Sequence, residues 1–153
     1  ETTMNKLKEV LTAEASVKNP IDVVGDARAD RYENALRVVC ESKEYKNILV
    51  LLTPQMVTDS KGTAEVVAKI AKDMGINTEI IVTVPFNFEG RKRINQAIYS
   101  IADIMQYIKD ITIISNDDLL TEIDKHVTLR EAFKIVDELI IEKIEDIIEQ
   151  QYI

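Results

Sequence analysis

Two kinds of hydrophobic pattern alternate along this chain. Apolar-rich runs stand at residues 21–25, 47–53, 78–86 and 110–115. Around them, apolar residues recur every three or four positions, which is the spacing of an amphipathic helix. Apolar runs without polar alternation are typical of strands that are buried on both faces of a parallel sheet. The pattern therefore predicts strands that alternate with helices.

Five helices are predicted from the spacing of three and four. The first carries Met4, Leu7, Val10 and Leu11 on one side, and the fourth turns Ile94, Ala97, Ile98, Ile101 and Met105 inward. The predicted spans are residues 3–12, 30–43, 63–74, 89–107 and a last helix that runs from Thr128 to about Gln150.

Local signals mark several helix ends. Asp30 with Glu33, and Thr128 with Glu131, have the spacing of a capping box. Gly75 follows the third helix, where a glycine is the usual stop.

Strands separated by helices of this length imply a parallel sheet with helical crossovers. We therefore predict an α/β fold, a three-layer Rossmann or flavodoxin-like sandwich of about four parallel strands. At 153 residues, one domain over residues 1–153 is the natural expectation.

Composition excludes several classes of function. The net charge of −8 repels phosphate backbones, so we expect no nucleic-acid partner. The single Cys40 leaves no internal disulfide, and the single His126, expected in an exposed loop, leaves no histidine cluster for a metal. No apolar run reaches the roughly 20 residues of a membrane span. The expected location is the cytoplasm, or the cytosol of a recombinant host.

The first part of the chain resembles ADP-forming acyl-CoA ligases. The blocks "NPIDVVGDA", "RYENAL" and "ILVLLTPQ" carry the resemblance, over about residues 10–59. It implies the second flavodoxin-like subdomain of the succinyl-CoA synthetase type. The phosphorylated histidine of that family has no counterpart here, because His126 lies in the other part of the chain.

The second part resembles the GTPase domain of FtsZ, the prokaryotic tubulin homologue. The blocks "VTVPFNFEGRKRINQAI", "DITIISNDDLL" and "LREAFKIVDELIIEKIEDII" carry this resemblance, over about residues 64–149. It implies that Glu89 and Arg93 approach the phosphate and ribose of a nucleotide. It also implies that Asn116, Phe133 and Asp137 approach the sugar and the guanine.

The chain departs from FtsZ where that family has a glycine-rich phosphate loop. Here the loop reads "PQMVTDSKG", and Asp59 adds a charge that repels phosphate. Each lost hydrogen bond to a charged phosphate is worth roughly 1.5–3 kcal/mol. The downstream acidic loop that completes GTP hydrolysis in that family has no counterpart either. The sequence alone therefore predicts no enzyme and no required cofactor, with weak GDP or GTP binding as an alternative.

The two resemblances meet between residues 62 and 63. We interpret them as an engineered or designed chimeric scaffold without native catalysis, made of residues 1–62 and 63–153, with no required partner and no membrane contact. A residual guanine-nucleotide module is one alternative. A homodimer that forms through the last helix is another, and its interface residues would be Ile140, Ile141, Ile144, Ile147 and Ile148.

Each candidate site also has a plain structural explanation. The run from Glu89 to Arg93 has a functional interpretation as an anion site and a structural one as a solvated basic turn. For residues 116–118 the two interpretations are ligand binding and helix capping. Asp22 and Asp26 hold a metal or shape a turn. Cys40 is expected to pack as a small hydrophobic residue.

Overall fold

Six α-helices and two β-strands make up the described part of the chain. The computed structural model describes residues 2–52, 59–122 and 127–150. In chain order the elements are α1 (Thr2–Val10), α2 (Ala29–Ser42), α3 (Ser60–Met74), β1 (Ile80–Val84), a 3-10 turn (Asn87–Glu89), α4 (Arg91–Ile104), β2 (Ile111–Ser115), α5 (Asn116–Glu122) and α6 (Leu129–Gln150).

The chain divides into two compact units, which are described separately. The first unit, Glu1–Thr78 with Gln106–Ile108, contains α1, α2 and α3. Its core is aliphatic. Buried side chains of α1 and of the turn that follows it pack against buried side chains of α2. These are Leu7, Leu11, Ala35 and Val39, with Ala15, Val17, Ile21, Val23 and Val38 packed against them.

The second unit, Glu79–Met105 with Lys109–Ile153, contains the sheet. β1 and β2 are parallel, and their register runs from Ile80 opposite Ile111 to Val84 opposite Ser115. A separate core cluster lies in this unit. It consists of Phe86, Ala132 and Val136, with Leu119, Val127 and Ile140 against it. The single domain over residues 1–153 stays a prediction.

Two of the four predicted strands are not strands in the described residues. In 21–25, Asp22 Oδ1 accepts a hydrogen bond from Val24 N at 2.8 Å, and Val24 has φ 71°. That geometry makes a turn, which leaves one isolated antiparallel bridge between Ser16 and Asp22. A sheet of four parallel strands is therefore not confirmed.

The apolar run 47–53 also forms no strand over its described residues, 47–52. Leu49 is 62% exposed and Leu51 is 71% exposed, although the pattern predicted burial on both faces. Hydrophobicity favours a strand only where a neighbouring strand supplies hydrogen bonds, and a local pattern does not contain that neighbour.

The predicted capping box of the second helix is wrong. α2 begins at Ala29, after Arg28, whose side chain makes no capping hydrogen bond. Glu33 instead accepts from Arg37 Nη2 at 2.7 Å, one helical turn later. The Glu33 carboxylate thus forms an i,i+4 ion pair with Arg37 and does not cap the start of the helix.

The fourth helix is shorter than predicted. Gly90, with φ 98°, separates the 3-10 turn from α4, a backbone conformation that glycine adopts without strain. Ile98 and Met105, predicted to face inward, are 51% and 56% exposed, whereas Ile94, Ala97 and Ile101 are half-buried.

Other predicted helix ends are confirmed. Gly75 ends α3 in the left-handed conformation with φ 65°, and α6 reaches Gln150. α5 was not predicted from the sequence. In the described ranges, no helix combines the length and the apolarity needed to cross a bilayer.

The start of α3 depends on a close contact between two residues. The Asp59 carboxylate caps the helix, and its Oδ1 accepts from Gly62 N at 2.9 Å. A Cβ added to Gly62 would clash with Asp59 Oδ2. The cap and a side chain at position 62 therefore exclude each other.

We expect Gly62→Ala to be nearly neutral in the wild type and stabilising in an Asp59→Ala background. Alanine gains about 1 kcal/mol of helix propensity over glycine. In the wild type it also displaces a cap that is worth about 1 kcal/mol. Urea unfolding of the two single variants and the double variant measures this coupling. Equal effects of Gly62→Ala in both backgrounds would contradict it.

α6 begins with the predicted capping box. Glu131 Oε2 accepts from Thr128 N at 2.8 Å and from Thr128 Oγ1 at 2.6 Å, while Thr128 Oγ1 accepts from Glu131 N at 3.3 Å. The hydroxyl and amide of Thr128 lower the pKa of Glu131 below its usual value.

A carboxylate whose pKa is lowered in the folded state stabilises above its unfolded pKa of about 4.3 and loses this effect as the pH falls through its folded value. We therefore expect Glu131→Gln to lower the thermal midpoint at neutral pH, and the gap from wild type to close in acid. Thermal melts between neutral pH and strong acid test this, with Glu142→Gln as a control for charge loss on the same helix. A gap that stays constant with pH would refute it.

Candidate nucleotide site

The carboxyl ends of β1 and β2 lie side by side, because Val84 is opposite Ser115 in the parallel register. The loops that follow these strands therefore start at one edge of the sheet. Open parallel sheets bind ligands at this edge. All five residues that the FtsZ resemblance implies lie in this second unit: Glu89, Arg93, Asn116, Phe133 and Asp137.

The turn after β1 is held by a carboxylate of its own. Glu89 Oε1 accepts from Phe86 N at 3.0 Å, and Glu89 Oε2 accepts from Arg93 Nη1 at 2.7 Å. The side chain of Glu89 is 14% exposed, whereas that of Arg93 is 69% exposed. The guanidinium is thus anchored at Nη1, on a side chain that is largely exposed to an approaching anion.

The loop after β2 is tied to this turn. Both carboxylate oxygens of Asp117 accept from Asn87 N, at 3.0 Å and 3.2 Å. The neighbouring Asn116 is 5% exposed, and its Oδ1 is buried without a hydrogen-bond partner in the described part of the structure. A buried acceptor usually has a donor, so this one is suited to a hydroxyl or N–H that a ligand brings.

Three phenylalanines form the apolar wall of the site. Phe86 is fully buried and stacks on Phe88, with 4.8 Å between ring centroids and 14° between ring planes. Phe133 meets Phe86 edge-on, at 5.2 Å and 88°. Phe88 and Phe133 are 59% and 41% exposed. Exposed aromatic rings on a buried anchor can stack with a planar base.

The first turns of α6 form a surface depression of about 470 Å³. Phe133 and Asp137 stand one helical turn apart and therefore on one side of α6. The depression is lined by Arg130, Glu131, Phe133, Lys134 and Asp137.

Phe86 connects three of the five predicted site residues, and Asn87 bonds the neighbour of a fourth. Phe86 contacts Glu89 through its amide and Phe133 through its ring, Glu89 holds Arg93, and Asn87 reaches the residue after Asn116. Sequence reasoning did not select Phe88 as a site residue, and it named Asp117 only as part of residues 116–118, which were expected either to bind a ligand or to cap a helix. The signal was available, because both are adjacent to residues that the FtsZ motifs picked out.

The other candidates have structural roles where they are described. Asp22 shapes a turn, and Asp26 bonds Arg31 at 2.6 Å, which lowers the pKa of Asp26. Burial raises the pKa of the half-buried Cys40 thiol, so its reactive thiolate is disfavoured. No group of histidine, cysteine and carboxylate residues within the described ranges could hold a metal ion. His126 and residues 54–58 of the altered loop lie outside the described residues.

The apolar stripe of α6 is less open than predicted. Of its five isoleucines, Ile141 is 54% exposed. The remaining four are half-buried: Ile140, Ile144, Ile147 and Ile148.

Comparisons with known proteins agree on one family. The model of the Tubulin/FtsZ family, GTPase domain, matches residues 22–124, about two thirds of the chain. The cell division protein FtsZ of Wigglesworthia glossinidia brevipalpis is 34% identical over 127 residues, which is 82% of this chain and 32% of that protein. FtsZ of Rickettsia bellii is 35% identical over 118 residues, 76% of this chain and 25% of that protein.

A shorter match is closer in sequence. FtsZ of Buchnera aphidicola subsp. Acyrthosiphon pisum is 46% identical over 72 residues, 47% of this chain and 19% of that protein. The chain thus spans about a third or less of the length of these relatives.

These findings correct the interpretation made from sequence. The family match runs across the supposed junction at residues 62 and 63, and nothing in the comparisons supports an acyl-CoA-ligase half or a chimera. The designed scaffold without activity is wrong, and so is the expectation of no enzyme, because the matching model describes a GTPase domain. Loss of one glycine-rich loop removes phosphate contacts, but it leaves the rest of a domain's sequence recognisable.

The GTPase domain of this family has a Rossmann-like α/β fold, which agrees with the fold class predicted from the hydrophobic pattern. One family model covers two thirds of the chain, and a relative matches over four fifths of it. The chain belongs to the Tubulin/FtsZ family and corresponds to part of its GTPase domain.

Proposed function

We propose that this chain binds guanine nucleotides at the carboxyl edge of β1 and β2, as part of an FtsZ-like domain whose substrate is GTP. One observation carries the proposal: contacts of Phe86 and Asn87 link the turn with Glu89 and Arg93 to Phe133 and to the loop of Asn116. A location in the cytoplasm stays part of the proposal.

Arg93 supplies the positive charge for phosphate. Its side chain is 69% exposed, and its guanidinium has several N–H groups that the 2.7 Å bond to Glu89 does not use. Guanidinium groups bind phosphate oxygens through paired hydrogen bonds. Glu89, one helical turn before Arg93, orients the Arg93 side chain. Its carboxylate also accepts hydrogen bonds from those ribose hydroxyls that come within reach.

Phe133 and Asp137 supply recognition of the base. The exposed face of Phe133 offers a stacking surface, and Asp137 is exposed one turn further along α6. Guanine presents two adjacent N–H donors, at N1 and N2, to the two acceptor oxygens of a carboxylate. Adenine presents an acceptor at N1, so a carboxylate there favours guanine over adenine.

Phosphate contacts are expected to be few. The segment from Thr53 to Lys61 contains no glycine, and Asp59 already caps α3. The base and the ribose therefore contribute most of the binding free energy in this proposal. We expect micromolar to millimolar affinity for GDP, and slow release of phosphate from GTP.

A titration with GDP tests the proposal. We expect saturable binding to wild type, weaker binding of ADP, and a roughly tenfold loss of GDP affinity in Arg93→Ala, equivalent to about 1.4 kcal/mol. Arg91→Ala is the matched control, because Arg91 is exposed on the same helix and lies in no ion pair among the described residues. Calorimetry gives the affinities, and a phosphate-release assay with GTP tests hydrolysis.

Two results would contradict nucleotide binding at this site. One is no saturation with GDP at millimolar concentration. The other is an equal loss in Arg91→Ala and Arg93→Ala, which would show a response to net charge and no localised contact.

Self-association through α6 is a second proposed property. Ile141 is 54% exposed and Leu129 is 57% exposed on this helix, and large exposed apolar side chains are a feature of protein interfaces. The four half-buried isoleucines of the stripe contribute less surface than the sequence predicted.

We expect Ile141→Asp to shift a monomer–dimer equilibrium toward monomer, because a charge would be buried in the apolar contact. Sedimentation velocity over a concentration series measures the shift. Gln150→Asp adds the same charge at the exposed end of α6 and serves as the control. Wild type that remains monomeric throughout the series would rule out this self-association.

A further inference from the structure

Asp117 joins two loops that lie far apart in the sequence. Its carboxylate oxygens accept from Asn87 N at 3.0 Å and 3.2 Å, across a separation of 30 residues. We propose that Asp117 is a positioning residue, which sets the Glu89–Arg93 turn against the loop of Asn116 so that phosphate and nucleoside are held together. This inference rests on the proposed nucleotide binding and adds a specific role to it.

The contact of Asp117 with Asn87 is distinct from the general effect of an acidic residue at the start of a helix. Asp117 and Asp118 are both in the first turn of α5, and both favour that helix electrostatically. Asp118 is exposed, and its hydrogen bonds run through its backbone, from its N–H to Ser115 Oγ and from Thr121 Oγ1 to its carbonyl. Between these two neighbours, the carboxylate of Asp117 is the one that reaches the other loop.

The turn needs an outside constraint. Glu89 closes it locally on Phe86 N, but Gly90 follows with φ 98°, a residue without a side chain that would limit rotation. Arg93 lies just beyond Gly90. The bond from Asn87 to Asp117 therefore limits how far the start of the turn can move relative to β2.

The other contacts of the site have separate supports. Asn116 is 5% exposed, at the end of β2, and Phe133 is on α6 and packs on the buried Phe86. Loss of the Asp117 carboxylate should leave both in place. The affected contacts are those of Arg93, so binding of phosphate should weaken more than binding of nucleoside.

The test compares GDP with guanosine in the complete chain. We expect Asp117→Ala to weaken GDP binding roughly tenfold, about 1.4 kcal/mol, and guanosine binding less than threefold. Asp117→Asn keeps an acceptor oxygen for Asn87 N, so we expect it to restore most of the GDP affinity. Asp118→Ala is the control for charge and helix position, and we expect the ratio of GDP to guanosine affinity to stay at the wild-type value.

Each outcome decides one claim. If wild type binds neither ligand, the proposed function fails and this role fails with it. If wild type binds GDP but Asp117→Ala weakens both ligands equally, or Asp118→Ala matches it, the positioning role alone is refuted. Thermal melts of all variants identify a loss that is due to unfolding. The backbone amide signal of Asn87 in ¹⁵N spectra provides a second measurement for a variant that melts early. Loss of the hydrogen bond to Asp117 should shift this signal, so an unchanged signal in Asp117→Ala would also refute the contact.

Discussion

The parallel pairing of β1 with β2 is the constraint on which the site depends. Val84 opposite Ser115 brings the ends of both strands to one level, so that Asn87 and Asp117 meet at hydrogen-bond distance. Sliding one strand by a single residue would turn each of its side chains to the other face of the sheet. It would also separate the two loops by about 3.3 Å. The register thus determines both the core and the site.

Phe86 makes the core and the candidate site parts of one structure. Its ring is fully buried against Ala132 and Val136 of α6 and also contacts Phe133. Its backbone N–H donates a hydrogen bond to the side chain of Glu89. A fully buried aromatic side chain contributes much to stability, and its large ring limits how its neighbours can move. Exposed groups beside it therefore gain orientation from packing, without needing many hydrogen bonds of their own.

The glycine-poor loop explains why sequence reasoning misjudged the protein. A glycine-rich loop matters for phosphate binding because its backbone N–H groups point at one anion. It contributes little to folding, so its loss from "PQMVTDSKG" changes ligand contacts more than architecture. Family membership is carried by a match over residues 22–124 as a whole. The absence of one motif was weak evidence against an enzyme, and the surviving blocks around Glu89 and Asn116 were the better guide.

The sequence by itself determined several contacts between near neighbours, although the box expected at Asp30 and Glu33 did not form. The Thr128–Glu131 box and the stop at Gly75 are contacts within a few residues, and both were predicted correctly. The tertiary structure decided what depends on distant partners. Residues 47–52 have the hydrophobicity of a strand without forming one, and the contact of Asp117 with Asn87 spans 30 residues. A helix satisfies its hydrogen bonds internally, whereas a strand or a loop-to-loop bond needs a partner whose position only the folded chain supplies.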